Sequence, residues 1–384
     1  MAGYRLTRER LLLDLYIAFY DARRHKAEMS YVVQFEKNLK DNLEQLCDDL
    51  FTRRYTALPS KCFIITSPKR REVFAAQFRD RIVHHLYYNY THQLFERTFI
   101  ADSYSCIPGR GTHYGISRLR HHIRSESQNW TRPCYCMNLD IRGYFMHINR
   151  HRLLSIATDT LLRSARRFPV GSSHCARRFS AGYPDLDFLL WLTAELILLD
   201  PQQNCEIIGS EADWLGMDRS KCLRYAPPGC GLPIGNLTSQ LFSNVYLNVF
   251  DQWMKRTLHC RHYGRYVDDS NVVDCSHQWL LSLVPALRDF LSTELSLELH
   301  MGKLRIQEVR LGVEFLGAFV KPYRDYVSNK TLRRIETGMK NLDLRNEEKA
   351  RRTVASYMGL LSHTASHNLR QDLFPDCLPF LPAA

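Results

Sequence analysis

Tyr266-Val267-Asp268-Asp269 sets two carboxylates side by side between two strand-prone stretches, Arg261-His262-Tyr263-Gly264-Arg265 and Asn271-Val272-Val273. Such flanks predict a hairpin with the acids at its bend. Adjacent carboxylates at a tight turn repel each other unless a cation lies between them, so the feature points to divalent metal. Asp is also an ordinary turn residue, and a lone Asp-Asp bend is more often only a turn. The choice depends on what else the chain carries.

A third acid answers in part. Asp140 ends the short apolar run Cys134 to Leu139, with Phe145 five residues on, and precedes the hairpin by about 130 residues. Phosphoryl transfer to a 3′-hydroxyl uses two divalent ions roughly 3.5–4 Å apart. Mg²⁺ takes oxygen ligands and keeps several waters, so two or three carboxylates from separate strands suffice. Asp140 and Asp268 fit that role, and the backbone carbonyl of Ile141 offers a further oxygen. Read alone, an acid in the place of Asp140 is more often one that caps a turn at the end of a strand.

Lys and Arg outnumber Asp and Glu by 52 to 40, with sixteen histidines besides. That excess suits a polyanionic partner, because neutralising phosphates drives sequence-independent nucleic-acid affinity. Between residues 150 and 178, Arg150, Arg152, Arg163, Arg166, Arg167, Arg177 and Arg178 face only Asp159. The twelve cysteines include no CxxC pair, and Cys134-Tyr135-Cys136 alternates as a strand does, which predicts reduced thiols used as core residues in a cytosolic protein. A hydrophobic content of 45% excludes wholesale disorder. No stretch reaches the ~18 consecutive apolar residues of a membrane span, and the N-terminal segment does not read as a signal peptide.

Periodicity predicts helices over 4–22, 38–51, 80–97, 236–255 and 279–295, with strands at 62–65, at 134–139 and at 313–317, and a basic turn over 67–73 leading into another strand. Thr112 is placed to cap a helix that follows the Pro108-Gly109-Arg110-Gly111 loop. Residues 188–192 read as helix and 201–229 as loop, and the tail beyond Lys330 reads as helical and basic.

In motif order and spacing, residues 62–320 and part of the tail resemble a reverse transcriptase. The order is a basic segment, Asp140 with Phe145, a Gly-rich turn and helix, the Tyr-x-Asp-Asp hairpin, a Lys-bearing segment and a Leu-Gly strand. Most reverse transcriptases carry Gln-Gly-x-x-x-Ser-Pro at the helix start. Here Ile234-Gly235-Asn236-Leu237-Thr238-Ser239-Gln240 stands in its place, which resembles the reverse transcriptase of a diversity-generating retroelement.

The resemblance implies an α+β right-hand polymerase. Its layout would be an N-terminal helical extension (1–60), fingers (61–133), a palm with an antiparallel sheet (134–320, with an insertion at about 151–230) and a helical thumb (321–384). It implies Asp140, Asp268 and Asp269 as catalytic and metal-holding carboxylates, with Mg²⁺ or Mn²⁺ as two bound ions and Lys303 as a proton donor to the leaving pyrophosphate. Arg71, Arg79, Phe145, Ile234 and Gly235 would bind the incoming deoxynucleotide, Phe145 by excluding a 2′-hydroxyl. Neighbouring Arg70 and Arg81 compete for the arginine roles. Ser239, Gln240, Tyr266, Leu316 and Gly317 would contact template and primer. Partners would be a template-repeat RNA, its cDNA, deoxynucleotides and a small basic accessory protein acting as an oligomer, with no membrane, in the cytoplasm of a bacterium or encoded by a phage.

Ile at position 234 offers apolar contact where Gln would brace the nascent pair by hydrogen bonding, and losing that check predicts error-prone synthesis; the resemblance implies that the errors fall opposite template adenine. A reverse transcriptase of another lineage, such as a retron or phage-defence enzyme, usually keeps the Gln and Pro that Ile234 and Gln240 replace. An inactive RNA-binding scaffold would have no need of all three aspartates and Phe145.

Overall fold

The computed structural model describes residues 6–66, 69–167, 185–343 and 345–374. The strands are β1 Ser60–Ile65, β2 Arg71–Ala75, β3 Tyr135–Leu139, β4 Cys205–Ile207, β5 His262–Tyr266, β6 Asp269–Asp274, β7 Arg305–Glu308, β8 Val313–Phe315, β9 Ala318–Lys321 and β10 Arg324–Val327. The helices are α1 Arg8–Arg23, α2 Ser30–Glu36, α3 Leu39–Phe51, α4 Phe78–Glu96, α5 Thr112–Glu126, α6 Tyr144–His147, α7 Arg150–Arg167, α8 Leu186–Leu198, α9 Leu237–Arg256, α10 His277–Leu295, α11 Asn329–Lys340, α12 Glu347–Leu361 and α13 His367–Leu373. The fold is thus mixed α+β. Among the described residues no helix is long and apolar enough to cross a membrane.

Two compact units interleave along the chain. The first comprises Met1–Ala101, Ile141–Leu258 and Arg288–Leu299; the second comprises Asp102–Asp140, His259–Leu287 and His300–Ala384.

The first unit is arranged around α4, which packs on α1, α7, α8 and α9 and buries Ile82, Val83, Leu86, Tyr87 and Leu94. Its sheet runs β2-β1-β4, with β1 and β2 antiparallel and β4 parallel to β1. The stretch 201–229, expected as loop, contributes β4 and three short 3-10 turns. The cause is a buried carboxylate: Glu72 on β2 accepts from Trp214 Nε1 at 2.8 Å and from the Leu223 amide at 2.5 Å, clipping this stretch onto the sheet. Arg150 and Arg152 of the arginine-rich segment are used internally, paired with Asp200 at 3.0 Å and Glu294 at 2.8 Å. Arg177 and Arg178 lie outside the described residues.

The second unit holds a four-stranded antiparallel sheet in the order β5-β6-β3-β7. Helix α5 covers it, burying Ile116, Leu119 and Ile123 against Cys134, Cys136 and Val273, so both thiols serve as core residues. The same core takes in Val313, Phe315, Ala318 and Val320 from the three-stranded meander β8-β9-β10. Ile335, Val354, Leu361 and Phe374 form a separate cluster among the C-terminal helices. Thr112, expected as a cap, is the first helical residue of α5; Gly111 takes the cap position, where no side-chain hydrogen bond forms.

Close packing shows most plainly at Gly264 on β5, where an added Cβ would stand 2.0 Å from Tyr104 Oη. Gly359, inside α12, has open space around it. Gly264→Ala should therefore destabilise the protein by on the order of 1–3 kcal/mol or more. Gly359→Ala should stabilise it by up to about 1 kcal/mol through helix propensity. Urea denaturation of both variants checks the pair; equal midpoints would contradict this packing.

Candidate active site

The hairpin forms as its flanks require. Tyr266 pairs with Asp269, leaving Val267 and Asp268 as a two-residue loop. Val267 takes φ 56°. Tight hairpin turns of the primed type need positive φ at the first loop position, where glycine is usual. A β-branched residue held there costs about 1–3 kcal/mol and persists only where its surroundings over-determine it. Here the Val267 amide donates to Ser105 Oγ at 3.1 Å, and Arg265 Nη1 donates to the Val267 carbonyl at 2.9 Å. Arg265 is only 1% exposed. Its own backbone is fixed in turn, with its amide donating to the Asp102 carbonyl and its carbonyl accepting from the Tyr104 amide, both at 2.9 Å. Residues 102–105 thus run alongside β5 and hold the strained peptide from both sides. Sequence reasoning missed them; the one signal was an arginine inside a strand otherwise short of charge.

Asp140 reaches the hairpin through register. Leu139 pairs with Ser270, so one step further along both strands sets Asp140 opposite Asp269. The Asp140 carbonyl also accepts from the His300 amide at 2.8 Å, which begins the short turn Met301–Lys303. Lys303 Nζ then lies 2.7 Å from Asp140 Oδ2. The carboxyl group of Asp268 is pushed up to about 7, first by burial, then by the charge of Asp269 and further by Asp140, while a backbone hydrogen bond and Lys303 pull it down. The structure therefore brings Asp140, Asp268, Asp269 and Lys303 together.

Among the described residues, no group of three or more His, Cys, Asp or Glu side chains stands already arranged around a metal position. The donor chemistry nonetheless fits a divalent cation. The Asp268 carboxyl carries a mutual repulsion that such an ion would remove, and an ammonium already sits on Asp140. Ile141, the other proposed oxygen donor, follows Asp140 and bridges to Leu299.

The first unit brings together a second set. Phe145 and Ile234 pack against one apolar cluster containing Cys62, Phe74, Met146, Trp214 and Leu223. The Ile234 carbonyl accepts from the Phe74 amide at 2.8 Å, and the Phe145 carbonyl accepts from the Leu232 amide at 2.9 Å. Gly235 takes φ 130°, with an added Cβ only 2.5 Å from the Phe74 carbonyl oxygen, so this turn is pressed onto β2. On α9 Ser239 is buried and Gln240 exposed. The neighbouring Thr238 hydroxyl bonds His84 Nδ1 at 2.8 Å, in a site so buried that the imidazole is pushed down to about 3.

The four basic-segment arginines separate clearly. Arg79 is engaged by Asp49 at 2.7 Å, by Asp80 at 3.3 Å and by the Tyr55 ring. Arg70 bonds the carbonyls of Asp213 and Leu215, and Arg81 bonds the Ala76 carbonyl and Tyr31. Arg71 is exposed on β2. In the second unit, Tyr266 packs on the α5 core beside Leu316. Leu316 and Gly317, with φ 51° and 85°, make the two-residue turn between β8 and β9.

No family model matches the chain. It is similar to Protein YkfC of Escherichia coli (strain K12), at 24% identity over 316 residues covering 73% of this chain and 72% of that protein. Among solved structures it is similar to telomerase from Candida albicans in complex with a TWJ fragment of telomeric RNA, at 10% identity and a TM-score of 0.48, covering 86% of this chain and 60% of that one. Apo telomerase from Candida tropicalis gives 10% identity and a TM-score of 0.48, with 82% and 56% covered. The chain thus spans less than two thirds of the length of those telomerase structures. Likeness at this level is too loose to bear on chemistry, which rests on the site itself.

The raised Asp268 carboxyl has a testable sign. In the metal-free protein the folded state keeps a proton that the unfolded state releases near pH 4, so this stabilisation is present at low pH and fades as pH rises towards about 7. Asp268→Asn should raise the melting temperature above pH 7 and change it little at pH 4. Adding Mg²⁺ at pH 8 should stabilise the wild type more than the variant. Melting curves that shift equally at both pH values would contradict this.

Proposed function

We propose that this chain is an RNA-directed DNA polymerase, a reverse transcriptase that extends a primer by nucleotidyl transfer at Asp140, Asp268 and Asp269. The observation that carries the reading is the Leu139↔Ser270 register, which sets the acid ending β3 beside the acids of the hairpin. On this reading residues 61–133 act as fingers, 134–320 as palm and 321–384 as thumb, behind an N-terminal helical extension over 1–60.

A pair of Mg²⁺ ions, or Mn²⁺ in their place, held by Asp140, Asp268 and Asp269 with the Ile141 carbonyl, would supply Lewis-acid activation of the 3′-hydroxyl and neutralise charge on the triphosphate. The chain's own groups do the rest. Asp268 gives up its proton as the site fills. Lys303, released from Asp140 Oδ2, holds a proton at Nζ for the leaving pyrophosphate. Arg71 grips phosphate oxygens in forked contacts. Phe145, backed by the cluster it shares with Ile234, leaves no room for a 2′-hydroxyl. Template and primer are guided by Ser239, Gln240, Tyr266 and the Leu316-Gly317 turn.

The finer reading is that of a diversity-generating retroelement, copying a template-repeat RNA into mutated cDNA with a small basic accessory protein. Its support is Ile234, whose side chain lies among apolar groups and presents no hydrogen-bonding atom. Two experiments test these levels separately. Primer extension on an RNA template with Mg²⁺ should fall at least about a hundredfold in Asp268→Ala; equal activity in both proteins would remove the polymerase reading. Sequencing cDNA made by Ile234→Gln should show misincorporation opposite template adenine reduced several-fold, and an unchanged adenine error rate would sink the mutagenic role of Ile234.

A further inference from the structure

The clamp on Val267 needs an anchor of its own. In the order β5-β6-β3-β7, β5 stands at the edge of its sheet, and residues 102–104 lie along that edge. They are joined to it by one parallel bridge, Ser103↔Arg265, and by the two backbone hydrogen bonds that flank it. So short a ladder does not hold an irregular segment by itself, because fixing each residue costs conformational entropy comparable with what a hydrogen bond returns. Yet this segment carries Ser105, whose hydroxyl accepts from the amide of the strained Val267.

The anchor is on α5. Asp102, only 6% exposed, turns its carboxylate towards that helix. Arg118 Nε donates to Oδ1 at 2.7 Å, and His122 Nε2, one helical turn further on, lies 3.3 Å from Oδ2. The Tyr104 hydroxyl donates to Oδ1 at 3.4 Å. A carboxylate buried this deeply is costly unless it is paired, and a charge-assisted bond from a guanidinium is among the strongest and most directional contacts a side chain makes. Helix α5 is a firm base, because Ile116, Leu119 and Ile123 are packed into the core beneath it. Contacts thus run from a packed helix through Arg118 and Asp102 to the backbone of 102–105. From there Ser105 and Arg265 carry them to the turn that presents Asp268 and Asp269.

We propose that Arg118, acting through Asp102, is a positioning residue for the hairpin acids. Without the ion pair the 102–105 segment leaves the β5 edge, Val267 relaxes out of its positive φ, and the acids lose the geometry in which they share an ion. The inference rests on the reading of Asp140, Asp268 and Asp269 as one metal-binding site. It goes beyond that reading by making the affinity of the site depend on an ion pair between α5 and residue 102.

Two readouts on the full chain test this, neither of them primer extension. Without divalent metal, hydrogen–deuterium exchange over residues 262–270 should be at least about tenfold faster in Arg118→Met and in Asp102→Asn than in the wild type. Mn²⁺ affinity, read from the electron paramagnetic resonance of the free ion, should fall about tenfold or more in both. The double variant should lose no more than the larger single loss, because the two residues act as one unit. Arg118→Lys, which keeps the charge but not the fork, should fall between wild type and Arg118→Met. The comparison is Arg120→Met, which breaks the 3.3 Å pair with Asp325 on the same helix and should leave both readouts at wild-type values. Unchanged exchange over 262–270 in Arg118→Met and Asp102→Asn, or faster exchange with unchanged Mn²⁺ affinity, would overturn the inference. An equal change in Arg120→Met would overturn it too, since that marks a general loosening around α5. Faster exchange in the variants of a protein whose wild type binds no Mn²⁺ would uphold the positioning of the hairpin and overturn the metal-site reading instead.

Discussion

The strained peptide at Val267 is the constraint on which the site depends. A valine at positive φ would leave that conformation if the loop were free, and Asp268 and Asp269, which follow it, would move with it. It is held because Ser105 takes its amide and Arg265 takes its carbonyl. Both partners are themselves fixed by the backbone pairing of residues 102–104 with Arg265. A buried arginine with no such duty would be expensive. Its burial is offset by the carbonyl it satisfies, and the outcome is a carboxylate pair presented in one geometry.

The same economy of position explains the electrostatics. Burial first, and then the charges of Asp269 and Asp140, raise the Asp268 carboxyl to about 7. Lys303 answers part of that charge by resting on Asp140. An ammonium at one carboxylate and a proton at another are two ways of lowering the same excess. A divalent cation would replace both, which is why the lysine and the acids belong to one account.

The hairpin, β3 with Asp140 just beyond it, α4, α9 and α10 were legible in the sequence because their patterns are local. Each has strong periodicity or a run of β-prone residues bounded by turn residues. The resemblance to reverse transcriptases added roles to these positions. What stayed hidden depended on distant partners. Strand β7 is Arg305-Ile306-Gln307-Glu308, three polar residues in four, and it is a strand only because β3 offers an edge. The clip of residues 211–225 onto β2 turns on one buried carboxylate, Glu72, which looks like any surface glutamate until its partners are seen. Arg79 likewise looked free for phosphate, and only the fold shows it occupied by Asp49 and Asp80. Residues 102–105 carry no periodic signal at all.

The central claim is that Asp140 and the hairpin acids bind divalent metal as one site. Replacing Mg²⁺ with Fe²⁺ and adding ascorbate and peroxide generates hydroxyl radicals at the metal, which cut the nearby backbone. Cleavage near residue 140 and near residues 268–269 together, suppressed by excess Mg²⁺, is the predicted result. Cleavage at only one of these segments, or at neither, would contradict the account.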